Sequence, residues 1–555
     1  MHRPVSRPLW TAAALFTLAC GAAAQPPAVN PQITDAAVTD QAMALIRPEV
    51  IGAHMRFLAD DLLEGRGTGT RGYDIAAQYV ATQLEAAGLE PAGAGGTYFQ
   101  PVPFRRSVAE EKECSVTLQR QGSKADLRYG VDYIMRVDSL LPESAEVTAP
   151  VAFVGFGVTA PELNYDDYAG VDVRGKIVAL LTDAPAAFPH NQRAYYSSTR
   201  LKGENAVAHG AIGVFIISNR DDRKSFPWSQ VVRHAKTGGM RWVDAAGKPD
   251  EVWGEIRGSA WLSEQGAAAL FQGAPKTIDQ ALDDADASKP QGFDLPVRAT
   301  LKSTARHTRV DSPNVAAVLR GSDPRLRDQY VVYTGHLDHV GVSDPVDGDS
   351  INNGAFDNAS GIAALIEAAK AFVSLPTAPR RSILFVAVTG EEKGLRGSDY
   401  FAQHPTVPRE RIVANVNLDM FVMPFPLKDV VAFGAEHSSL GPVVEAAAKR
   451  VGFTLSPDPA PEEVIFIRSD QYSFVRQGVP AVFITHGAQS ADPKIDGPAR
   501  IVEWMRTRYH RPKDDMDQPM HLESGVKFAR LNFLIGYDVA QADQPPTWNP
   551  GDFFG

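Results

Sequence analysis

The chain has 555 residues, of which 66 are acidic and 55 basic, so its formal net charge at pH 7 is −11. Hydrophobic residues make up 44% of it and charged residues 22%, which excludes collagen-like, coiled-coil and disordered chains because each of those classes needs a stronger bias. The acidic balance also argues against a nucleic-acid partner, since phosphate binding calls for a basic stripe.

The first 34 residues predict export of the protein. They contain no Asp or Glu, and two arginines precede an apolar run that ends in small residues before Gln25, the pattern of a cleaved secretory signal. We therefore expect a signal peptide at 1–24 and a periplasmic or secreted mature protein. Leu18-Ala19-Cys20 partly resembles a bacterial lipobox, so a lipid anchor at Cys20 is the alternative. No later stretch approaches the ~20 apolar residues of a membrane span.

Cysteine is too scarce to supply the ligands of a metal site or to cross-link the fold. Once Cys20 leaves with the signal, Cys114 is the only cysteine, and no intrachain disulfide can form. Any metal site must therefore use His, Asp and Glu.

The pattern becomes helical from Glu49, and the apolar spacing in "YDIAAQYVATQLEAAG" predicts a helix that stops at Gly88. Gly67 to Gly72 has the G-x-G-x-x-G spacing of a dinucleotide loop. The approach to it, "FLADDLLEGR", is polar and helix-like rather than a strand, so a dinucleotide site is not favoured.

Residues 146–295 form short β-rich runs punctuated by glycine, such as "AVAHGAIGVFIISN" and "DVRGKIVALL". The stretch resembles the protease-associated domain, a β-rich module often inserted into exported peptidases. We expect a small β-rich domain inserted in a surface loop of another domain.

From Asn314 onward, strands and helices alternate. "QYVVYTG", "SILFVAVTG", "VANVNLDM" and "AVFITHG" have the composition of buried strands, and "GIAALIEAAKAFVSL" and "LGPVVEAAAKRVG" are helical. This alternation predicts an α/β fold with an open, mostly parallel sheet flanked by helices. The functional site of such a sheet lies at the carboxyl ends of the strands.

Side chains suited to metal binding or proton transfer follow these strands or lie in adjacent loops: His336, Asp338, Asp357, Glu391, Glu392, Asp419 and His510. Two histidines and three carboxylates, one of them shared, can hold two metal ions. These ions are expected to be zinc, because imidazole with carboxylate favours zinc over magnesium or calcium. Two such ions can hold both the attacking oxygen and the oxygen of the attacked carbonyl. Asp338 is expected to accept the second N–H of the His336 imidazole.

At these residues the sequence resembles the co-catalytic zinc peptidases of family M28, which include bacterial aminopeptidases, glutamate carboxypeptidase and the inactive transferrin receptor. The motifs "GHLDHVG", "DNASG", "TGEEKGLRGS", "NLD" and "YHRPKDD" match in order, as do "EGRGTGTRGYD" and "RSDQYSFVRQGVPAVF". The departure is Gln471, where the family commonly has His.

The resemblance implies roles for individual residues. His336, Asp357 and Asp419 would hold the first zinc ion. Asp357, Glu392 and His510 would hold the second. Glu391 would be the general base, and Tyr509 would support the oxyanion.

The resemblance also implies the organisation and the activity. The N-terminal part of a peptidase domain would occupy 49–145, the protease-associated insert 146–295 and the catalytic core 300–545. We expect an exopeptidase that removes N-terminal residues from peptides by attack of a hydroxide bridged by two zinc ions. Alternatives are a carboxypeptidase or dipeptidase of this fold, with Arg396 or Arg468 binding the substrate carboxylate, and a non-catalytic binding protein.

Other residues of the same types are given no functional role. We expect His339 and His486 to pack beside the site without binding metal, and Asp514 and Asp515 to be solvated. The chain has no H-E-x-x-H and no G-x-S-x-G motif, which excludes a helical zincin site and a nucleophile elbow.

Overall fold

A computed structural model of the chain describes residues 36–555. The predicted signal peptide and Cys20 lie outside these residues. Within residues 36–555 no helix has the length and apolarity that crossing a bilayer requires. Cys114 is buried and unpaired.

Helices occur from the beginning to the end of the described residues. In chain order the α-helices of the described residues are α1 Ala36–Ala44, α2 Pro48–Leu58, α3 Arg71–Ala86, α4 His190–Ser197, α5 Thr199–Ala208, α6 Arg220–Ser225, α7 Trp228–Thr237, α8 Glu264–Phe271, α9 Ile278–Asp286, α10 Ser360–Val373, α11 Arg396–Gln403, α12 Leu440–Val451, α13 Gln471–Val475, α14 Gly497–Thr507 and α15 Leu522–Gln541.

The strands, in chain order, are β1 Glu90–Pro91, β2 Phe99–Ala109, β3 Ser115–Arg120, β4 Ser123–Asp126, β5 Tyr133–Met135, β6 Ser144–Phe153, β7 Thr159–Ala160, β8 Tyr165–Asp166, β9 Ile177–Leu181, β10 Gly213–Ile217, β11 Gly239–Trp242, β12 Ser259–Leu262, β13 Phe293–Leu319, β14 Tyr330–His336, β15 Gly341–Val346, β16 Asp349–Asn352, β17 Ser382–Val388, β18 Ile412–Leu418, β19 Asp429–Phe433, β20 Thr454–Leu455 and β21 Ala481–His486.

The first sheet contains the parallel strands that the sequence predicts. β17, β14, β18 and β21 lie side by side and parallel, while β13 runs antiparallel beside β17 and β19 runs antiparallel beside β21. Side chains of β14 alternate between two cores: Val331 packs in the core with α10 and α15, and Val332 in the core with α11 and α13. Helices therefore cover both faces, which confirms the predicted α/β architecture.

A second sheet is formed by β4, β3, β13, β6, β9, β10, β12 and β5, in that order. It has its own hydrophobic core, and helices α4 to α9 lie in the same stretch of chain. This unit contains more helix than the β-rich pattern indicates. Its sheet also contains β3, β4 and β5, which precede the predicted boundary at residue 146.

The 27-residue strand β13 belongs to both sheets. Residues 293–304 pair with β6 in the second sheet, and residues 305–319 pair with β2 and β17 in the first. The two units therefore share one continuous backbone element rather than a loose linker.

A buried ion-pair network also joins the units. Glu251 of the second unit accepts from Arg396 Nη1 and from Arg241 Nη1, each at 2.8 Å. Burial alone would raise the pKa of Glu251, but the two guanidinium groups outweigh it and lower that pKa to about 2. Because Arg396 begins the helix after Glu391 and Glu392, the network reaches the edge of the sheet where we expect the site.

Replacing Glu251 with Gln should lower the free energy of unfolding by about 3 kcal/mol at pH 7, since two buried guanidinium groups lose their carboxylate. The depressed pKa stabilises the fold fully above the ordinary pKa of glutamate, and this stabilisation fades as the pH falls toward 2. The difference in free energy of unfolding between wild type and variant should thus fall to roughly half of its pH 7 value by pH 3. Denaturant unfolding at several pH values tests this. Glu264→Gln, whose carboxylate is exposed, is the control, and an equal effect of both substitutions would contradict the prediction.

Candidate metal centre

Three parallel strands deliver the predicted residues to one edge of the first sheet. His336 ends β14, and Asp419 follows β18 directly. After β17 the chain turns at Gly390, whose φ of 67° suits glycine, and enters a 3-10 turn at Glu391–Lys393. The predicted placement at the carboxyl ends of the strands is therefore found in the structure.

The first cluster consists of one imidazole and two carboxylates. His336 Nε2 lies 3.0 Å from Asp419 Oδ1 and 3.2 Å from Asp357 Oδ1, and all three residues are buried. Asp357 comes from the segment directly before α10. The cluster therefore combines residues from the ends of two strands with one from the segment that leads into a helix. These three donors can face one metal ion.

The second cluster shares Asp357 with the first. His510 Nε2 lies 3.2 Å from Asp357 Oδ2 and 3.1 Å from Glu392 Oε2. Each oxygen of Asp357 thus faces a different imidazole. His510 lies in the loop after α14 with a φ of 53°, a left-handed conformation that is uncommon for a non-glycine residue. All five sequence-predicted ligands are brought together.

His339 lies at the second cluster as well, beside the site as the sequence analysis expects. Its Nδ1 is 2.8 Å from Glu392 Oε1 and 3.7 Å from Asp357 Oδ2, and the side chain is fully buried. His339, Asp357 and Glu392 form a second group able to hold an ion. The only sequence signal was its position three residues after His336 in "GHLDHVG".

Asp338 supports the site differently from the prediction. His336 Nδ1 lies 2.9 Å from the backbone carbonyl oxygen of Asp338, so the carbonyl and not the carboxylate accepts the second imidazole N–H. The carboxylate instead accepts from Thr68 Oγ1 at 2.9 Å and from the backbone N–H of Glu391 at 3.1 Å. It therefore holds the turn that carries Glu391 and Glu392.

Tyr509 stacks on the ring of His510 with centroids 3.9 Å apart. This contact fixes the plane of the imidazole. The oxyanion role predicted for Tyr509 stays a prediction.

The site concentrates negative charge in a buried region. Burial alone would lower the pKa of His336, but nearby carboxylates, Asp419 first, raise it well above its ordinary value. Burial likewise opposes the charged form of His510, yet Glu392 and Asp357 raise its pKa to about 10. Burial and the neighbouring Glu392 raise the pKa of Glu391. Such surroundings favour an added cation.

Two buried charged residues fix the loops that carry the ligands. Arg66 donates from Nε to the Leu337 carbonyl at 3.0 Å and from Nη2 to the Gly354 carbonyl at 3.0 Å. Asp514 accepts the backbone N–H groups of Phe356 and Asp357, both at 3.0 Å. The expectation that Asp514 is a solvated residue is wrong, because backbone donors replace water around its carboxylate.

A polar chain holds Asp419 from the other side. Ser469 Oγ donates to Asp419 Oδ2 at 2.5 Å and accepts from Asn417 Nδ2 at 2.7 Å. Gln471 Oε1 lies 3.2 Å from Asn417 Nδ2, and Gln471 Nε2 donates to the Phe466 carbonyl. Both amide atoms of Gln471, the residue that departs from the family pattern, thus have a partner within the protein.

The residues fit zinc better than other ions. The donors are imidazole nitrogens and carboxylate oxygens, and ligands at ~2.0–2.2 Å from one ion stand about 3 Å apart, as these do. Buried polar atoms at the second cluster, including Glu392 Oε1 and both ring nitrogens of His339, have no hydrogen-bond partner among the described residues. A metal ion would satisfy Glu392 Oε1 and one of the two ring nitrogens.

Asp514→Ala should weaken zinc binding by about 10- to 100-fold, because the loop holding Asp357 would lose the acceptor for two N–H groups. Equilibrium dialysis with elemental analysis measures the affinity. Asp515→Ala is the matched control, since its carboxylate accepts from the N–H of Asp517 instead. Equal affinities for the two variants would contradict this role for Asp514.

Comparisons with known proteins find similar sequences among peptidases. Residues 314–533 match the sequence model of Peptidase family M28. A probable zinc metalloprotease of Pyrenophora teres f. teres is 38% identical over 112 residues, covering 20% of this chain and 23% of that protein. Aminopeptidase NAALADL1 of Mus musculus is 34% identical over 125 residues, covering 21% of this chain and 15% of that protein.

A solved structure shows the same fold over a longer span. The aminopeptidase from Aneurinibacillus sp. strain AM-1 superposes with a TM-score of 0.53 at 20% identity, covering 91% of this chain and 96% of that one. The two curated relatives named above are matched over less than a quarter of their length. The segment that carries the metal centre thus matches peptidase family M28, and the Pyrenophora relative of this segment is named a probable zinc metalloprotease.

Proposed function

We propose that the protein is a di-zinc aminopeptidase that removes N-terminal residues from peptides. The observation that carries the proposal is the sharing of Asp357, one oxygen of which faces His336 and the other His510. His336, Asp357 and Asp419 would hold one ion, and Asp357, Glu392 and His510 the other. When bound, the ions would activate water and polarise the substrate carbonyl.

The chain's own residues would move the proton and hold the geometry. Glu391 would take a proton from the attacking water and pass it to the leaving amine. Asp338 accepts the N–H of Glu391 and so fixes the turn on which this base stands. Burial and the neighbouring Glu392 raise the pKa of Glu391 above its ordinary value, which suits a group that must take up a proton.

Substrate can reach the second cluster from the side of the other unit. A cavity of about 270 Å³ is lined by residues of the second unit, among them Phe226 and Val231, and by Glu392 and His510 of the cluster. We propose that it receives a substrate side chain. Export, as the first 24 residues predict, and a protease-associated character of the second unit remain part of this proposal.

The carboxypeptidase alternative needs a free cation for the substrate carboxylate. Arg396 is buried against Glu251, and Arg468 donates to Glu463 Oε2 at 3.0 Å. Glu391 and Asp419, in contrast, could accept from a substrate ammonium. This balance favours recognition of the amino terminus.

Glu391→Gln should keep both zinc ions and lose about 10²- to 10⁴-fold in turnover, the usual contribution of a general base. Glu392→Ala should lose zinc as well, because it removes a ligand. Elemental analysis and turnover of an aminoacyl substrate, measured on the same preparations, separate the roles. Equal zinc content and equal activity loss in the two variants would show that the assignment is wrong.

The activity itself is tested with three versions of one short peptide: free, N-acetylated and C-amidated. Zinc-loaded protein should release the first residue of the free and amidated peptides, and a chelator should abolish this release. The acetylated peptide should be nearly inert, because a buried ammonium site would be left with unpaired carboxylates. Cleavage that amidation abolishes and acetylation spares would indicate a carboxypeptidase, and no cleavage at all would favour a binding protein.

A further inference from the structure

We infer that His339 is an additional ligand of the second metal site, binding through Nδ1. The inference rests on the proposed zinc chemistry and extends it to a residue outside the ligand set of the family resemblance. It gives the second site two imidazoles and two carboxylates, against one imidazole and two carboxylates at the first.

The first observation is the contact between His339 and Glu392. His339 Nδ1 stands 2.8 Å from Glu392 Oε1, yet neither atom has a hydrogen-bond partner among the described residues. The two atoms are close enough for a hydrogen bond but lack its alignment. Two atoms that bind one ion at ~2.0–2.2 Å would show this relation, because the ion lies off the line that joins them.

The second observation is the cost of the arrangement without a ligand. His339 is fully buried, and both of its ring nitrogens lack partners. An unpaired buried polar group of this kind costs ~1–3 kcal/mol, and proteins seldom leave two on one ring. An ion at Nδ1 would satisfy one nitrogen of the ring together with Glu392 Oε1.

The third observation is that the two imidazoles can approach one ion together. Glu392 turns Oε1 toward His339 and Oε2 toward His510, at 2.8 and 3.1 Å. The rings of His339 and His510 meet edge to face with centroids 5.7 Å apart, so neither blocks the other. Asp357 Oδ2 lies 3.7 Å from His339 and 3.2 Å from His510, on the side where both imidazoles point.

The backbone also holds His339 in place. Its N–H donates to the carbonyl of Arg66 at 3.2 Å, and its ring lies against Gly354, where a Cβ atom would come within 2.7 Å of two ring atoms. Gly354 is in the left-handed region with a φ of 63°. The ring therefore has little freedom to turn away from the cluster.

The test measures zinc affinity rather than activity. His339→Ala should bind the second zinc ion at least about 10-fold more weakly and leave the first unchanged, as competition with a chromophoric chelator would show. His339→Gln should be equally weak, because an amide can donate to Glu392 but does not replace the imidazole lone pair. The visible spectrum of the cobalt-substituted protein should change in both variants, since it reports the number of ligands.

His437→Ala is the matched control, because His437 is also buried and bonds Asp552 at 2.8 Å instead of a metal ligand. Unchanged second-site affinity and cobalt spectrum in His339→Ala would overturn the inference. Full recovery of second-site zinc affinity in His339→Gln would also overturn the inference. It would show that His339 only positions Glu392 and does not bind the ion. Failure of the wild type to bind zinc would instead overturn the proposed function, so the two failures are distinguishable.

Discussion

The structure depends on keeping several carboxylates together in a buried region. Asp338, Asp357, Asp419 and Asp514 are all buried at one edge of the sheet, where mutual repulsion and lost hydration oppose their charged forms. Each is matched by a fixed donor: an imidazole, a hydroxyl or a backbone N–H. Because backbone N–H groups cannot leave, the main chain holds the carboxylates of Asp338 and Asp514 in place before any ion arrives.

The second unit belongs to this arrangement. Glu251 binds Arg396, and Arg396 Nε donates to the Lys393 carbonyl at 3.1 Å, at the end of the turn that carries Glu391 and Glu392. On the other side, His234 of α7 lies with its ring centroid 5.5 Å from that of His510. A displacement of this unit would therefore reach both the base and a ligand of the second cluster.

The sequence predicted the parts of the molecule that short-range pattern encodes. Buried strands such as 382–388 and the ends that carry His336 and Asp419 could be located, because apolar runs and motif order are local features. The role of Asp514 could not, since its partners at 356 and 357 lie about 160 residues away. The acceptor of the His336 Nδ1 hydrogen bond, the backbone carbonyl of Asp338, could not be predicted. Nothing in the sequence distinguishes this carbonyl from the carboxylate of the same residue as the acceptor. The sheet to which strands β3 and β5 belong could not be predicted, because it depends on their long-range pairing with β13 and β12.

The two clusters differ in how firmly the fold holds them. His336 and Asp419 stand at the ends of neighbouring paired strands, whereas His510 lies in a loop with a strained left-handed backbone. A ligand on a loop can move more easily than one on a strand end, so the second cluster would lose its ion more readily if His510 were its only imidazole. A second imidazole on the segment that follows β14 would compensate for this mobility. The residue that the family pattern does not require thus lies where the fold gives the least rigid support.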